Sequence, residues 1–239
     1  MGSLLSRFIY KFFVELFSRL DFYKTRYLAY TIYLDKIINI LKKSRSKVLC
    51  IDLGCGDGTI TKKLSHVCDD VYGIDIRPFA TWTQQDLHKT YFIISDARML
   101  PIRSKVFDIV IVISLLEHVP QWGRIIEEAS RILRCYGILI IQIPNLWFIL
   151  EPHTKFPLLA HLPKSLRDVI ARNVGYSDLQ FDCKISNVIK TLSSNHFRLI
   201  GVYSYYHGLN SKIFKIFPAP SYFIAAVKDE NCKSGNAKT

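Results

Sequence analysis

The stretch VLCIDLGCGDGT, residues 48–59, places three glycines within five positions directly behind an apolar run. Glycine lacks a Cβ, so such a cluster lets the backbone turn tightly and come close to a ligand. The run before it, KVLCIDL, is continuously apolar, as a strand buried on both faces should be. After the glycines, TITKKLSHV has the spacing of a short helix. Strand, glycine loop and helix in this order are the first βα unit of an open, mostly parallel sheet.

Outward from this unit the same alternation continues. DVYGIDI reads as the second strand, YFIIS as the third, FDIVIVI as the fourth and YGILIIQI as the fifth. Trp122, Ile125, Ile126, Ala129, Ile132 and Leu133 mark a helix face between the last two. Ile185, Val188, Ile189 and Leu192 mark another, and FRLIGVYSYY and SYFIAAVK supply two strands that can pair as a hairpin. Residues 146–177, LWFILEPHTKFPLLAHLPKSLRDVIARNVGYS, are too long and too apolar for a simple connection and predict a helical cap. The expected organisation is an amphipathic helical extension over residues 1–45, one α/β domain over 46–228 with its cap inserted at about 146–177, and a flexible tail over 229–239.

With 49% apolar and 22% charged residues, the 239-residue chain has the composition of a folded protein rather than a disordered one. The formal charge of +12 favours anionic partners (phosphorylated metabolites, acidic lipid headgroups, nucleic acid) or a solubilising basic surface. One dense basic run, LKKSRSK, is not interleaved with aromatics as in RNA-binding modules. Six cysteines without a C-x-x-C pair predict reduced thiols, a cytoplasmic setting and no zinc or other metal site.

The segment SLLSRFIYKFFVELFSRL is apolar at Leu4, Leu5, Phe8, Ile9, Phe12, Phe13, Leu16, Phe17 and Leu20, a helical stripe. Arg7, Lys11, Glu15 and Arg19 interrupt it too often for a membrane span or a signal-peptide core. Two readings fit: a helix lying on an anionic membrane surface, with the protein peripheral at the inner face, or a helix packed on its own domain as a roof. MGSLLS also matches the loose N-myristoylation pattern at Gly2.

The ligand of the glycine loop follows from spacing and charge. The register is G-x-G-x-G, one residue shorter than the dinucleotide fingerprint, and Asp52 and Asp57 would repel a pyrophosphate. A cationic ligand without phosphate is better accommodated, and S-adenosylmethionine, with its sulfonium and ammonium groups, is one. Asp75 ends the second strand, where a carboxylate can accept from both ribose hydroxyls, and Asp96 follows the third, where it can accept from an adenine amino group. Local roles compete at each position: Asp52 can cap the following turn, Asp75 can pair with Arg77, and Asp96 can initiate a turn.

The segments VLCIDLGCGDG, VYGIDI, ISDARMLP, FDIVIVISLLEHVP and RILRCYGILIIQIPN, in this order and spacing, resemble the class I S-adenosylmethionine-dependent methyltransferases, in particular the type-11 group. The resemblance covers about residues 47–145. It implies a Rossmann-like, seven-stranded, mostly parallel sheet with helices on both faces and its last strand antiparallel. It also implies S-adenosylmethionine as cofactor and S-adenosylhomocysteine as product. Gly54, Cys55 and Gly56 would then pass close to the methionine portion, with Asp52 beneath positioning its amino group. Asp75, with Ile76, would hold the ribose, Asp96 and Ala97 would border the adenine, and Ser114 and Leu115 would line the floor beneath the sulfonium.

Methyl transfer from a sulfonium is an in-line displacement, for which alignment and exclusion of water are the main requirements. A hydroxyl acceptor also needs a general base, and the candidates are His118 in LLEHVP and Glu151 and His153 in LEPHT. The chain lacks the N-P-P-aromatic signature of many nucleic-acid methyltransferases, and EPHTKFP and HLPKS look similar to caps of methyltransferases of polysaccharide and glycolipid assembly. The expected acceptor is a small molecule, a sugar or a lipid-linked group. The alternatives are a nucleic-acid methyltransferase and a noncatalytic, methyltransferase-like partner subunit.

Overall fold

The structure, a computed structural model, describes residues 46–83, 89–148, 156, 158–173, 175–176, 178–205 and 221–229. Its centre is a seven-stranded sheet of β1 (Leu49–Leu53), β2 (Asp70–Asp75), β3 (Thr90–Ile94), β4 (Phe107–Ile113), β5 (Leu133–Pro144), β6 (Phe197–Tyr205) and β7 (Ser221–Lys228). The spatial order is β3-β2-β1-β4-β5-β7-β6. Strands β1 to β5 pair in parallel, whereas β7 runs antiparallel to both β5 and β6. The last two strands therefore pair as the sequence suggests, from Phe197 opposite Lys228 to Tyr205 opposite Ser221.

The continuous apolar runs are explained by burial on both faces. In β1, Ile51 and Leu53 enter one core while Cys50, pointing the other way, enters the second. In β4, Val110 and Val112 share the first core, and Ile109, Ile111 and Ile113 the second. Helices α2 (Gly123–Ile132) and α4 (Ile185–Ser194) cover the first face through Ile125, Ile126, Ala129, Val188 and Leu192. Helix α1 (Thr59–Leu64) covers the second through Leu64. The chain leaves β1 for β2 and β3 on one side and returns to β4 on the other, so a crevice opens above the C-terminal ends of β1 and β4, where open α/β sheets bind ligands.

The cap contains a 3-10 turn, Leu159–His161, and helix α3 (Lys164–Asn173). It has a small core of its own, in which Leu146, Leu159, Ala160 and Phe181 are buried and Phe156, Leu162, Ile170 and Leu179 pack around them. Leu179 and Phe181, which follow the segment 146–177, belong to this core as well. The N-terminal extension, the tail from residue 230 and the cap residues Glu151 and His153 lie outside the described residues.

One expectation is overturned. The cysteines are not all reduced: Cys50 in β1 and Cys68 beyond α1 form a buried disulfide, with their Cα atoms 6.2 Å apart, and Cys135 is disulfide-bonded as well. Only Cys55 and Cys183 are free thiols among the described residues. A separation of 18 residues matches no short cysteine motif; the pairing arises because the βα unit folds its end back beside its own strand. Restricting this loop in the unfolded chain should add about 3 kcal/mol of stability. The double variant Cys50→Ala/Cys68→Ala is thus expected to unfold at clearly lower urea concentration, and a midpoint equal to that of the oxidised wild type would contradict this.

Candidate functional site

The glycine loop is held from three sides. Gly54 N and Cys55 N both donate to the Ile74 carbonyl, at 2.8 and 2.9 Å, which ties the loop to the end of β2. Gly56 N donates to Asp75 Oδ2 at 2.9 Å, and the Gly56 carbonyl accepts from Trp82 Nε1 at 2.9 Å. Trp82 is itself fixed by stacking on Phe92, with ring centroids 4.7 Å apart. Gly54 adopts φ +74°, and a Cβ there would lie 2.7 Å from Leu115 Cδ1, so only glycine allows the end of β1 to meet the turn after β4. Gly58 has the corresponding role at the start of α1, where φ is +78° and Phe92 occupies the space of a side chain.

Above this loop lies a cavity of about 210 Å³, lined among others by Gly54, Asp75, Ile76, Asp96, Ala97, Leu115 and His118. Seven residues singled out from four separate strand ends and their following turns therefore converge on one space. Asp75 stands at its edge with one carboxylate oxygen on Gly56 N and the other accepting from Arg77 N at 3.2 Å. Its contact with Arg77 is thus to the backbone, not to the guanidinium. Asp96 also lines the cavity, but Arg98 clamps it: Nη2 donates to Oδ2 at 2.7 Å and Nε to Oδ1 at 3.0 Å. The Arg98 guanidinium holds the Asp96 carboxyl below the usual carboxylate range. A carboxylate kept ionised and oriented in this way retains lone pairs that can accept a further donor.

The remaining predicted cofactor residues sit behind this wall. Asp52 is buried under the loop and accepts from Thr61 Oγ1 at 2.7 Å. Burial pushes its carboxyl up to about 7. Cys55 is buried and its thiol is pushed up by the same desolvation, which leaves it unreactive near neutrality. Ser114 adopts φ +49° and donates to Gln142 Oε1 at 2.7 Å, and Gln142 Nε2 donates to Ser221 Oγ at 3.1 Å. This buried chain fixes the end of β4 against β5 and β7, so Ser114 shapes the floor through its backbone while Leu115 reaches the cavity.

The shifted Asp52 carboxyl carries a pH signature. The folded state keeps this proton between about pH 4 and about pH 7, where the unfolded chain has lost it. Its contribution to stability therefore falls as pH rises through that window, by an upper bound of roughly 4 kcal/mol. Asp52→Asn should gain stability over the wild type at pH 8 relative to pH 5 in thermal unfolding. An equal difference at both pH values would contradict the assignment.

His118 ends a 3-10 turn, Leu116–His118, at the mouth of the cavity. Its Nδ1 lies 3.1 Å from Asp178 Oδ2, and its Nε2 lies 4.0 Å from Oε1 of the fully buried Glu117. Gln180 N donates to the Glu117 carbonyl at 2.7 Å, so the segment that leaves the cap is fastened to this turn by backbone as well as side chain. Sequence reasoning missed Asp178, 60 positions away. It also missed Trp82, which carries no motif, and the clamp that Arg98 places on Asp96 within SDARMLP. Among the described residues no group of His, Cys, Asp or Glu side chains is placed to hold a metal ion.

Residues 51–141 match the model of a family described as a methyltransferase domain. This stretch is a methyltransferase domain of the type-11 group. The chain is 26% identical over 127 residues to a ubiquinone biosynthesis O-methyltransferase of Pelagibacter ubique, an alignment covering 51% of this chain and 52% of that enzyme. The chain thus spans about half the length of that relative. It is also 26% identical to an uncharacterized protein of Methanocaldococcus jannaschii, over 80% of this chain and 83% of that one. Among solved structures, a S-adenosylmethionine-dependent methyltransferase from Mesorhizobium loti superposes with a TM-score of 0.60 at 14% identity, covering 76% of this chain and 91% of its own. Magnesium protoporphyrin IX methyltransferase from Synechocystis, solved with bound S-adenosylhomocysteine, gives a TM-score of 0.55 at 18% identity, with 84% of each chain covered. At these identities the structural likeness establishes the methyltransferase fold.

Proposed function

We propose that the protein transfers a methyl group from S-adenosylmethionine to a small-molecule, sugar or lipid-linked acceptor and releases S-adenosylhomocysteine. The observation that supports this most is the convergence of Gly54, Asp75, Asp96 and Leu115 on one cavity at the C-terminal ends of β1 to β4. The groups present suit the cofactor: Asp75 for the ribose hydroxyls, the Arg98-held Asp96 for the adenine amino group, and Asp52 with the Gly54–Gly56 backbone for the methionine portion. When bound, the cofactor supplies an electrophilic methyl group; the chain has to orient it, keep water away and, for a hydroxyl acceptor, take a proton. His118 suits the last task. If its Nδ1–H is donated to Asp178, the opposite ring nitrogen is the one able to accept. The small-molecule class of acceptor has support in the curated relatives named ubiquinone biosynthesis O-methyltransferase.

The test is transfer of radiolabelled methyl from S-adenosylmethionine into fractionated cell extract by the full-length protein. Label is expected in the small-molecule, saccharide or lipid fraction; label confined to RNA or DNA would replace this reading with nucleic-acid methylation. No label in any fraction, despite cofactor binding, would favour the noncatalytic partner. For residues 2–20, the apolar stripe with flanking cations supports peripheral attachment at an anionic membrane face. Full-length protein is then expected to sediment with phosphatidylserine vesicles at low salt, and a variant lacking residues 2–20 to remain in the supernatant. Equal behaviour of the two would favour the helix as a roof on the domain.

A further inference from the structure

Outside the cofactor site, a cavity of about 630 Å³ in the cap, between α3 and the segment 178–182, has no assigned role. Three cations line it, Lys164, Arg167 and Arg172, together with two carboxylates, Asp168 and Asp182, and the polar side chains of Tyr176 and Gln180. Arg167 is unusual among them. Its side chain is only 16% exposed, its guanidinium carbon lies 4.1 Å over the ring centre of Phe181, and its Nε is buried with no hydrogen-bond partner among the described residues. The nearest carboxylate, Asp168 Oδ1, is 3.9 Å from Nε, beyond hydrogen-bond reach. Burying a guanidinium and leaving its Nε donor unfilled is costly, so this arrangement is suited to an anion that completes it.

The chemistry of the lining narrows the anion. A guanidinium packed over an aromatic ring is restricted in orientation, and its fork matches the oxygens of a phosphate or carboxylate. Lys164 and Arg172 approach from other positions along α3, and a tetrahedral phosphate offers acceptor oxygens in three dimensions, whereas a carboxylate accepts mainly within its own plane. The volume exceeds that of a phosphate alone and leaves room for the group that bears it. Position links this cavity to the reaction. The segment that supplies Gln180 and Phe181 to the cavity also brings Asp178 to His118 and hydrogen-bonds Gln180 N to the Glu117 carbonyl at the mouth of the cofactor pocket.

We infer that the cap cavity around Arg167 is a binding site for the phosphate or diphosphate group of the methyl acceptor, held beside the cofactor pocket by the shared segment 178–182. The inference rests on the methyltransferase reading above and specifies its substrate as a phosphorylated one.

Calorimetric titration of the full-length protein with inorganic pyrophosphate tests it, with a parallel titration by S-adenosylhomocysteine on each variant. Pyrophosphate is expected to bind the wild type at one site, and Arg167→Ala to weaken that binding at least tenfold while S-adenosylhomocysteine affinity stays unchanged. Lys164→Ala and Arg172→Ala, at exposed positions of α3, should each weaken it severalfold and keep the test valid if Arg167→Ala does not fold. Absence of pyrophosphate binding to the wild type overturns the inference. So does an equal loss in Arg103→Ala, an exposed cation that does not line the cavity, because the binding would then reflect overall charge. Failure of S-adenosylhomocysteine to bind would instead overturn the methyltransferase reading. Dihexanoyl phosphatidic acid and glucose 1-phosphate, competed against pyrophosphate, distinguish the source: stronger competition by the first identifies a lipid phosphate, and by the second a soluble sugar phosphate.

Discussion

Alanine at position 118 should lower the rate of methyl transfer to a hydroxyl acceptor by about 10²–10⁴, with the affinity for S-adenosylhomocysteine changed little. The expectation follows from position and partner. His118 lines the cofactor cavity and its Nδ1 faces Asp178 at 3.1 Å, an arrangement that fixes the ring and directs its other nitrogen. A base contributes to the transition state without holding the cofactor, so rate and affinity must separate in the same variant. Asp178→Asn should cause a smaller loss and alter the pH profile of the rate, because an amide no longer stabilises the imidazolium. Glu151→Gln and His153→Ala, measured alongside, identify which of the sequence candidates takes the proton. Near-normal rates in all of them would mean an acceptor that needs no protein base, such as an amine or a carbon nucleophile.

Removal of the Asp75 carboxylate should weaken S-adenosylhomocysteine binding by roughly 1.5–3 kcal/mol, the scale of hydrogen bonds to a charged group. Two effects combine in Asp75→Ala. The acceptor proposed for the ribose is lost, and so is the 2.9 Å bond that positions Gly56 N within the loop. Asp75→Asn separates them, because its amide oxygen can still accept from Gly56 N while the charge is gone. The asparagine variant is therefore expected to bind more tightly than the alanine variant and less tightly than the wild type. Unchanged affinity in folded Asp75→Ala would remove this residue from the site.

The sheet was legible because its strands are buried on both faces. FDIVIVI reads as a strand over the same residues, Phe107–Ile113, that form β4, with its side chains divided between two cores. The glycine loop and the carboxylates after β2 and β3 were legible for a related reason: close backbone approach and charge at strand ends leave a local mark. What escaped were particular side-chain contacts between segments distant in sequence. Trp82 on the Gly56 carbonyl, Asp178 on His118 and Cys68 on Cys50 depend on how βα units fold back on themselves. Arg98 is only two positions from Asp96, yet either a turn or a ligand role fitted SDARMLP; the clamp reconciles them by using the turn to aim the carboxylate. The length and apolarity of residues 146–177 set this segment apart, but its packing partners Leu179 and Phe181 lie past the last helical residue and leave no local mark.

The most direct test of the cofactor site is calorimetric titration of the full-length wild-type protein with S-adenosylhomocysteine, repeated on Asp75→Ala. Saturable binding at one site per chain, weakened by about 10–150-fold in the variant, is the predicted result. Absence of binding to the folded wild type, or equal affinity in both proteins, would contradict it.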